Sequence, residues 1–163
     1  MCKRSGDFVK PVVYDGKAGA SSYWWHTFHR DYPPENAFKS NARWCSLAGY
    51  PAKIWYKFKF PVKVVKISFS SVDKSFWYPS KWKQSPKSFN VIASNDCKNW
   101  DTLLSVTNSG FTGQNQVKSW QIPCTQQRPY RCYGIEGTKN LGYRGYHLRY
   151  IAYISLKKLK MFQ

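Results

Sequence analysis

Three stretches of this chain bring aromatic rings and polar donors together at short spacing. "SSYWWHTFHRDYPP" (21–34) holds Trp24, Trp25, His26, His29 and Arg30. "DKSFWYPSKWKQSP" (73–86) holds Phe76, Trp77, Tyr78, Lys81, Trp82 and Lys83, and "LGYRGYHLRY" (141–150) holds Tyr143, Arg144, Tyr146 and His147. A flat ring face against the C–H side of a sugar, with a few charged or amide donors for its hydroxyls, is what a carbohydrate site requires. The same residues suit an anionic membrane surface, with Trp24–Trp25 and Trp77–Tyr78 as apolar tips above a collar of Arg30, Lys81 and Lys83. For each aromatic taken alone the competing reading is an ordinary loop-packing anchor, because tryptophan is mostly buried. Two adjacent tryptophans in extended chain point to opposite sides, so one of Trp24 and Trp25 is expected to be exposed.

Catalysis has little to work with. The 8 acids are scattered from Asp7 to Glu136, and "HTFH" offers His26 and His29 without a third ligand at a compelling spacing. Cys45 has no feature that singles it out as a nucleophile with His29 or His147, and "GDFVKP" is no phosphate-cradling loop. We expect no enzyme, no metal and no cofactor. The charge points to partners instead: 26 Lys+Arg against 8 Asp+Glu give a formal net charge of +18, which attracts acidic glycans, anionic lipid head groups and nucleic acid. Nucleic acid ranks third, since no recognised motif is present and Lys57, Lys59 and Lys66 alternate as an ordinary solvated face does.

The elements that must hold these stretches read as strands. In "AKIWYKFKF" Ile54, Tyr56, Phe58 and Phe60 alternate with Trp55, Lys57 and Lys59, and Pro61 closes the run. "KVVKISFSS" sends Val65, Ile67 and Phe69 inward and Lys66 and Ser68 outward, and "KSFNVIAS" places Phe89, Val91 and Ala93 on one face. "TLLSV", "KSWQI" and "YRCYGIEG" follow, and the last pair is "IAYISL" with "KKLKMF". Several short strands with turn signals between them make an all-β antiparallel β-sandwich or barrel. The length suits a single domain, 1–163. No apolar run approaches the roughly 20 residues of a membrane helix. "MCKRSGDFVK" has no signal-peptide core, so we expect an intracellular protein, or an extracellular or cell-surface one if a leader has been removed. Five cysteines leave at least one unpaired within the chain. Reduced thiols are favoured over one or two disulfides, with Cys124 and Cys132 close enough in sequence to pair across a turn.

The order of the pieces resembles the discoidin family, the coagulation factor V/VIII type C domains, whose fold is a galactose-binding-like jelly roll. "GKAGASSYW" is similar to that family's opening strand, and "ENAFKSNARWCS" to its Asn-Ala-Phe-Asp-Gly…Arg-Trp-Ser segment. "SPKSFNVIASNDCKNWDTL" is similar to its Pro-x-x-Phe-x-Val-x-x-Ser-Asn-Asp-Gly-x-x-Trp segment, and "YRCYGI" and "LKKLKMF" to its last strands. The likeness covers roughly 17–162. It implies a non-catalytic recognition module that binds glycans through loops at one end of the sandwich, with anionic phospholipid, and hence peripheral membrane contact, as the runner-up. "SSYWWHTFHRDYPP" falls where coagulation-type members carry lipid-dipping aromatics.

The departures matter as well. Sugar-binding relatives carry a structural calcium where this chain has Lys39, and a glutamate where it has Lys158, so the resemblance implies that calcium is lost and that a lysine ammonium donates to the loop carbonyls. The terminal disulfide of the coagulation-type members is missing, and the glycine of the Ser-Asn-Asp-Gly turn is Cys97, a turn that must tolerate a side chain.

Overall fold

Alternation along the strands sorts the side chains into layers. The computed structural model describes residues 1–25, 31–47, 49–143 and 153–163. In β3 (Ala52–Val62) Ile54, Tyr56 and Phe58 are buried while Lys57 and Lys59 face solvent. The other strands are β1 (Lys17–Ala20), β2 (Trp44–Cys45), β4 (Lys66–Ser70), β5 (Pro86–Ser94), β6 (Asp101–Val106), β7 (Val117–Gln121), β8 (Tyr130–Asn140) and β9 (Ser155–Phe162). One sheet runs β1-β3-β8-β5-β6 and the other β2-β9-β4-β7. Each described pairing is antiparallel. This is the antiparallel all-β sandwich expected.

Aromatic side chains bridge the two layers. Phe69 of β4 meets Phe89 of β5 at 5.2 Å between centroids, and Trp120 of β7 stacks on Phe69 at 4.8 Å. A second group joins Tyr14, Phe38, Tyr56 and Phe58. Pairs of this kind contribute about 0.5–1.5 kcal/mol beyond the area they bury. The Tyr133 hydroxyl, under the β3–β4 connection, lies within hydrogen-bond reach of the Val62 and Arg128 carbonyls at 2.8 and 2.7 Å. Burial pushes this phenol up to about 12.

Several details depart from the simple alternation. Phe60, expected inward, is 66% exposed. The β3–β8 pairing breaks between Lys57 and Val62, so the period-two pattern loses its register before Phe60, and the strand continues through Pro61 to Val62. Ser68, expected outward, is buried, because β4 lies between β9 and β7 and a small side chain there is covered by its neighbours. The closing pair of strands is one strand, β9; Ile151 and Ala152 fall outside the described residues.

The cysteines differ most. Cys2 is bridged to Cys124 and Cys97 to Cys132, which leaves only Cys45 as a free thiol, and it is buried. Reduced thiols and a Cys124–Cys132 pair are therefore both corrected. Cys97 takes the turn position that the resemblance gives to glycine, with φ +56. The turn is held by Asp96, whose Oδ1 accepts from the Asn99 and Lys98 amides at 2.8 Å each; these bonds keep its carboxyl well below the usual carboxylate range.

A thiol count on the folded protein should find no reactive thiol, and one in denaturant without reductant. The double variant Cys97→Ser/Cys132→Ser should lose about 2–4 kcal/mol of stability in a denaturant melt, the usual worth of such a bridge.

Candidate binding site

The register brings the aromatic stretches to one end of the sandwich. Ala20 at the end of β1 pairs beside Ile54, and Pro86 at the start of β5 opposite Asn140 at the end of β8. Val117 at the start of β7 sits opposite Ser70 at the end of β4. The connections at 21–43, 71–85, 107–116 and 141–154 therefore leave from the same rim.

On that rim lies a hollow of about 270 Å3 with aromatic walls from Trp24, Tyr32, Tyr78, Tyr143 and Tyr153. Arg43, Lys81, Gln84 and the buried Cys45 complete its lining. Its size is near the lower end of small-molecule pockets, about 300–1,000 Å3. A more polar compartment of about 440 Å3 adjoins it and shares Tyr32, Arg43 and Lys81; Asp31, Asp73 and Lys74 add charge there.

Each wall has a local reason for its place. The Trp24 amide donates to the Cys45 carbonyl at 2.8 Å, the Cys45 amide to the Tyr32 carbonyl at 3.5 Å and the Tyr32 amide to the Trp24 carbonyl at 2.9 Å, so both ends of the first loop are clipped to β2 and to each other. The Trp24 ring lies 5.6 Å from that of Tyr153. In the extended chain at β2, residues 43 and 45 share a side while 44 takes the other: Arg43 and Cys45 face the hollow, and Trp44 is fully buried in the core. Residues 81–84 form a 3₁₀ turn, in which positions three apart eclipse. Lys81 and Gln84 therefore both reach the hollow, whereas Trp82 and Lys83 do not line it. The Leu141 amide donates to the Lys83 and Ser85 carbonyls at 2.9 and 3.2 Å, and the Asn140 amide group to the Tyr153 carbonyl at 2.9 Å, which fixes the third wall.

The electrostatics of the hollow are one-sided. Among the described residues, its charged lining consists of Arg43 and Lys81. Burial pushes the Cys45 thiol up to about 11 and also raises Tyr143, so both stay neutral at physiological pH. The Arg43 guanidinium stacks over the Tyr32 ring at 4.6 Å. Gln84 is 5% exposed, and its Oε1 is a buried acceptor with no hydrogen-bond partner among the described residues.

Of the residues singled out in the sequence, Trp24, Tyr78, Lys81 and Tyr143 meet in the hollow. Trp25 is exposed at 58%, as the adjacent-tryptophan argument expects, but stands outside it. Phe76 and Trp77 form a separate tip, 89% and 81% exposed, with rings 5.2 Å apart. His26, His29, Arg30, Arg144, Tyr146 and His147 lie outside the described residues. Tyr32, Arg43, Gln84 and Tyr153 were not anticipated. The i to i+3 spacing from Lys81 and the i to i+2 spacing from Arg43 to Cys45 are the signals that would have found two of them.

A buried ammonium braces the rim, and it belongs to Lys157 rather than Lys39 or Lys158. Lys39 is exposed, and Lys158 takes φ +53 at a register shift between β4 and β9. Lys157 Nζ donates to Asp73 Oδ1 at 3.0 Å and to Asn115 Oδ1, side-chain oxygens rather than loop carbonyls. Lys74 N to Gln114 Oε1 (2.9 Å) and Ser71 Oγ to the Gly113 carbonyl (2.7 Å) run alongside. No group of three or more His, Cys, Asp or Glu gathers among the described residues.

No family model and no curated protein matches this chain in sequence. Its shape matches that of solved carbohydrate-binding modules. A mutant of chitosan-binding module 1 from a chitosanase/glucanase of Paenibacillus sp. IK-5 aligns with TM-score 0.67 and 17% identity, over 96% of this chain and 100% of that one. The CBM32 module of AlyQ, in complex with 4,5-unsaturated mannuronic acid, gives 0.66 and 18% over 92% and 97%. A Clostridium perfringens module, CpGH89CBM32-5, in complex with GalNAc-β-1,3-galactose, gives 0.66 and 14% over 90% and 94%. The fold is thus the galactose-binding-like jelly roll that these modules share with discoidin domains.

Burial opposes ionisation of Asp73, but the hydrogen bonds from Lys157 and Asn115 outweigh it and hold the carboxyl below its ordinary value of 3.8. A lowered folded-state pKa stabilises the protein at pH above the unfolded value, and that stabilisation is lost as pH falls through the folded value. The melting temperature should therefore drop on acidification below about pH 4, with a smaller drop in Asp73→Asn. At neutral pH that variant should melt roughly 2–4 °C lower, a loss of about 1 kcal/mol in a domain this long, a scale set by the partial exposure of Asp73.

Proposed function

We propose that this chain, 1–163, is a single non-catalytic glycan-binding module that takes acidic glycans in preference and grips them at the aromatic hollow on its loop rim. The observation that carries this reading is the hollow itself: rings from three separate connections converge around a few polar groups, the arrangement a sugar needs. The net charge of +18 supports the acidic preference. Structural neighbours in complex with 4,5-unsaturated mannuronic acid and with GalNAc-β-1,3-galactose support glycan binding in general, the second of these ligands being neutral. Trp24, Tyr78 and Lys81 are the residues in our reading that touch ligand, with Trp25, Trp82 and Lys83 at its margin. Two disulfides suit an oxidising compartment, where surface and matrix glycans are found.

A second reading rests on the Phe76–Trp77 tip. Its rings are held out by a tight turn in which Ser75 and Tyr78 exchange backbone hydrogen bonds at 3.2 Å. Lys74, Lys81 and Lys83 are its neighbours in sequence, and each cation near an anionic bilayer contributes about 1 kcal/mol.

A glycan array followed by calorimetry tests the first reading, with Trp24→Ala expected to weaken the best glycan at least tenfold, about 1.4 kcal/mol. Unchanged affinity in Trp24→Ala and Tyr78→Ala would remove the hollow as the site. Phosphatidylserine vesicles test the second: binding that fades with salt and is abolished in Phe76→Ser/Trp77→Ser would favour the membrane.

A further inference from the structure

We propose that the hollow reads a uronic acid residue, with the ring carboxylate held by Arg43 and a ring hydroxyl donating to Oε1 of Gln84. The inference rests on the glycan reading above and adds the chemical class of the sugar and two residues that select it.

The charge distribution is the first ground. Among the described residues, the charged side chains lining the aromatic hollow, Arg43 and Lys81, are both cations, while Asp31 and Asp73 line only the adjoining compartment. The aromatic hollow is therefore the more uniformly cationic of the two compartments and the better place for an acid group. Arg43 is coupled to Asp73 through its charge, without a close ion pair among the described residues. Its guanidinium face is occupied by the Tyr32 ring at 4.6 Å, which leaves its N–H edge for in-plane bonds. Among the described residues, none of those groups has a hydrogen bond and no carboxylate forms an ion pair with it. A planar carboxylate matches that edge with two parallel N–H···O bonds.

Gln84 is the second, independent ground. An unpartnered buried acceptor is costly, and replacing it by an apolar group of similar shape is close to neutral or stabilising. Oε1 of Gln84 is such an acceptor, on a side chain 5% exposed that lines the hollow. It accepts and does not donate, so it calls for a ligand hydroxyl rather than the carboxylate. The separation of roles follows: acid to Arg43, hydroxyl to Gln84, ring faces to the aromatics. The hollow has room for one ring, and the adjoining polar compartment takes the neighbouring residue of the chain.

The test compares the methyl glycosides of glucuronic, galacturonic and mannuronic acid with those of glucose, galactose and mannose, by NMR titration at fixed salt, with galactose 6-sulfate alongside. At least one uronate should bind about tenfold or more tighter than its neutral counterpart. Arg43→Gln should bring that ratio close to one by weakening the uronate more than the neutral sugar. Gln84→Leu should weaken acid and neutral sugar by the same factor while the melting temperature stays level or rises; Gln84→Met serves where leucine does not fold. Equal affinity for acid and neutral members, a sulfate ester that outcompetes every uronate, or an Arg43→Gln variant that keeps its selectivity would overturn the inference and leave glycan binding standing. Failure of every sugar, here and on the array, would instead overturn the glycan reading itself.

Discussion

One buried ammonium sets the shape of the rim. A cation taken out of water is strongly destabilising unless oxygens meet it, and Lys157 sits in the interior of the loop end. Asp73 and Asn115 must therefore come to it, and they bring the β4–β5 and β6–β7 connections with them. Two residues with positive φ, Lys158 and Asn115, adjoin or belong to this junction. Asparagine tolerates that conformation well; lysine does so at some strain. The bulge at Lys158 offsets that strain by turning Lys157 toward its partners while Leu156 and Leu159 both stay in the core.

From this brace the rest of the site follows by short steps. The base of the 71–85 connection is fixed by Asp73, by Lys74 and by Ser71, and its far end by the Ser85 hydroxyl, which accepts from the Val72 amide at 2.9 Å. Between those fixed ends the chain has room for a free aromatic tip and then a 3₁₀ turn, and it is the turn that faces the hollow. The first connection is clipped independently, through Trp24 and Tyr32 on β2 and through the Trp44 indole, which donates to the Ser22 carbonyl at 2.9 Å. Side chains as far apart in sequence as Trp24, Gln84 and Tyr153 thus share one wall because three loops are anchored to the same few strand ends.

The pleat made much of the fold legible. Period-two patterning in β3 and β5 and in the closing strand, together with turn signals, was enough to reach a sandwich. Phe60 escaped because alternation predicts burial only while the ladder keeps its register. Lys157 was missed in favour of Lys158 for a related reason: an extra residue in β9 moves the inward position by one, and nothing in "LKKLKMF" marks where it sits. The disulfides were illegible because Cys2 and Cys124 lie 122 residues apart, and only topology brings them together. In the site, aromatic density drew attention to Trp24, Tyr78 and Tyr143, but Arg43 and Gln84 lie beside the conspicuous residues rather than among them. Their roles depend on local geometry, extended at one and 3₁₀ at the other, that composition does not reveal.

The division of labour among the aromatics has a physical logic. Rings between the sheets fill volume and are held from all sides, so they stabilise without selecting anything. Rings on the rim, such as Trp24 and Tyr32, are backed by anchored backbone and offer one face to solvent. They can cover a ligand without first paying to become ordered. The polar groups beside them stand on equally fixed elements: Arg43 against the Tyr32 ring, Gln84 in a turn hydrogen-bonded at both ends. The exposed rings Trp25, Phe76 and Trp77 stand outside the hollow. Discrimination between ligands demands groups that cannot relax toward the wrong one, which is the part we propose for Arg43 and Gln84, while the outlying rings would suit adhesion that tolerates many surfaces.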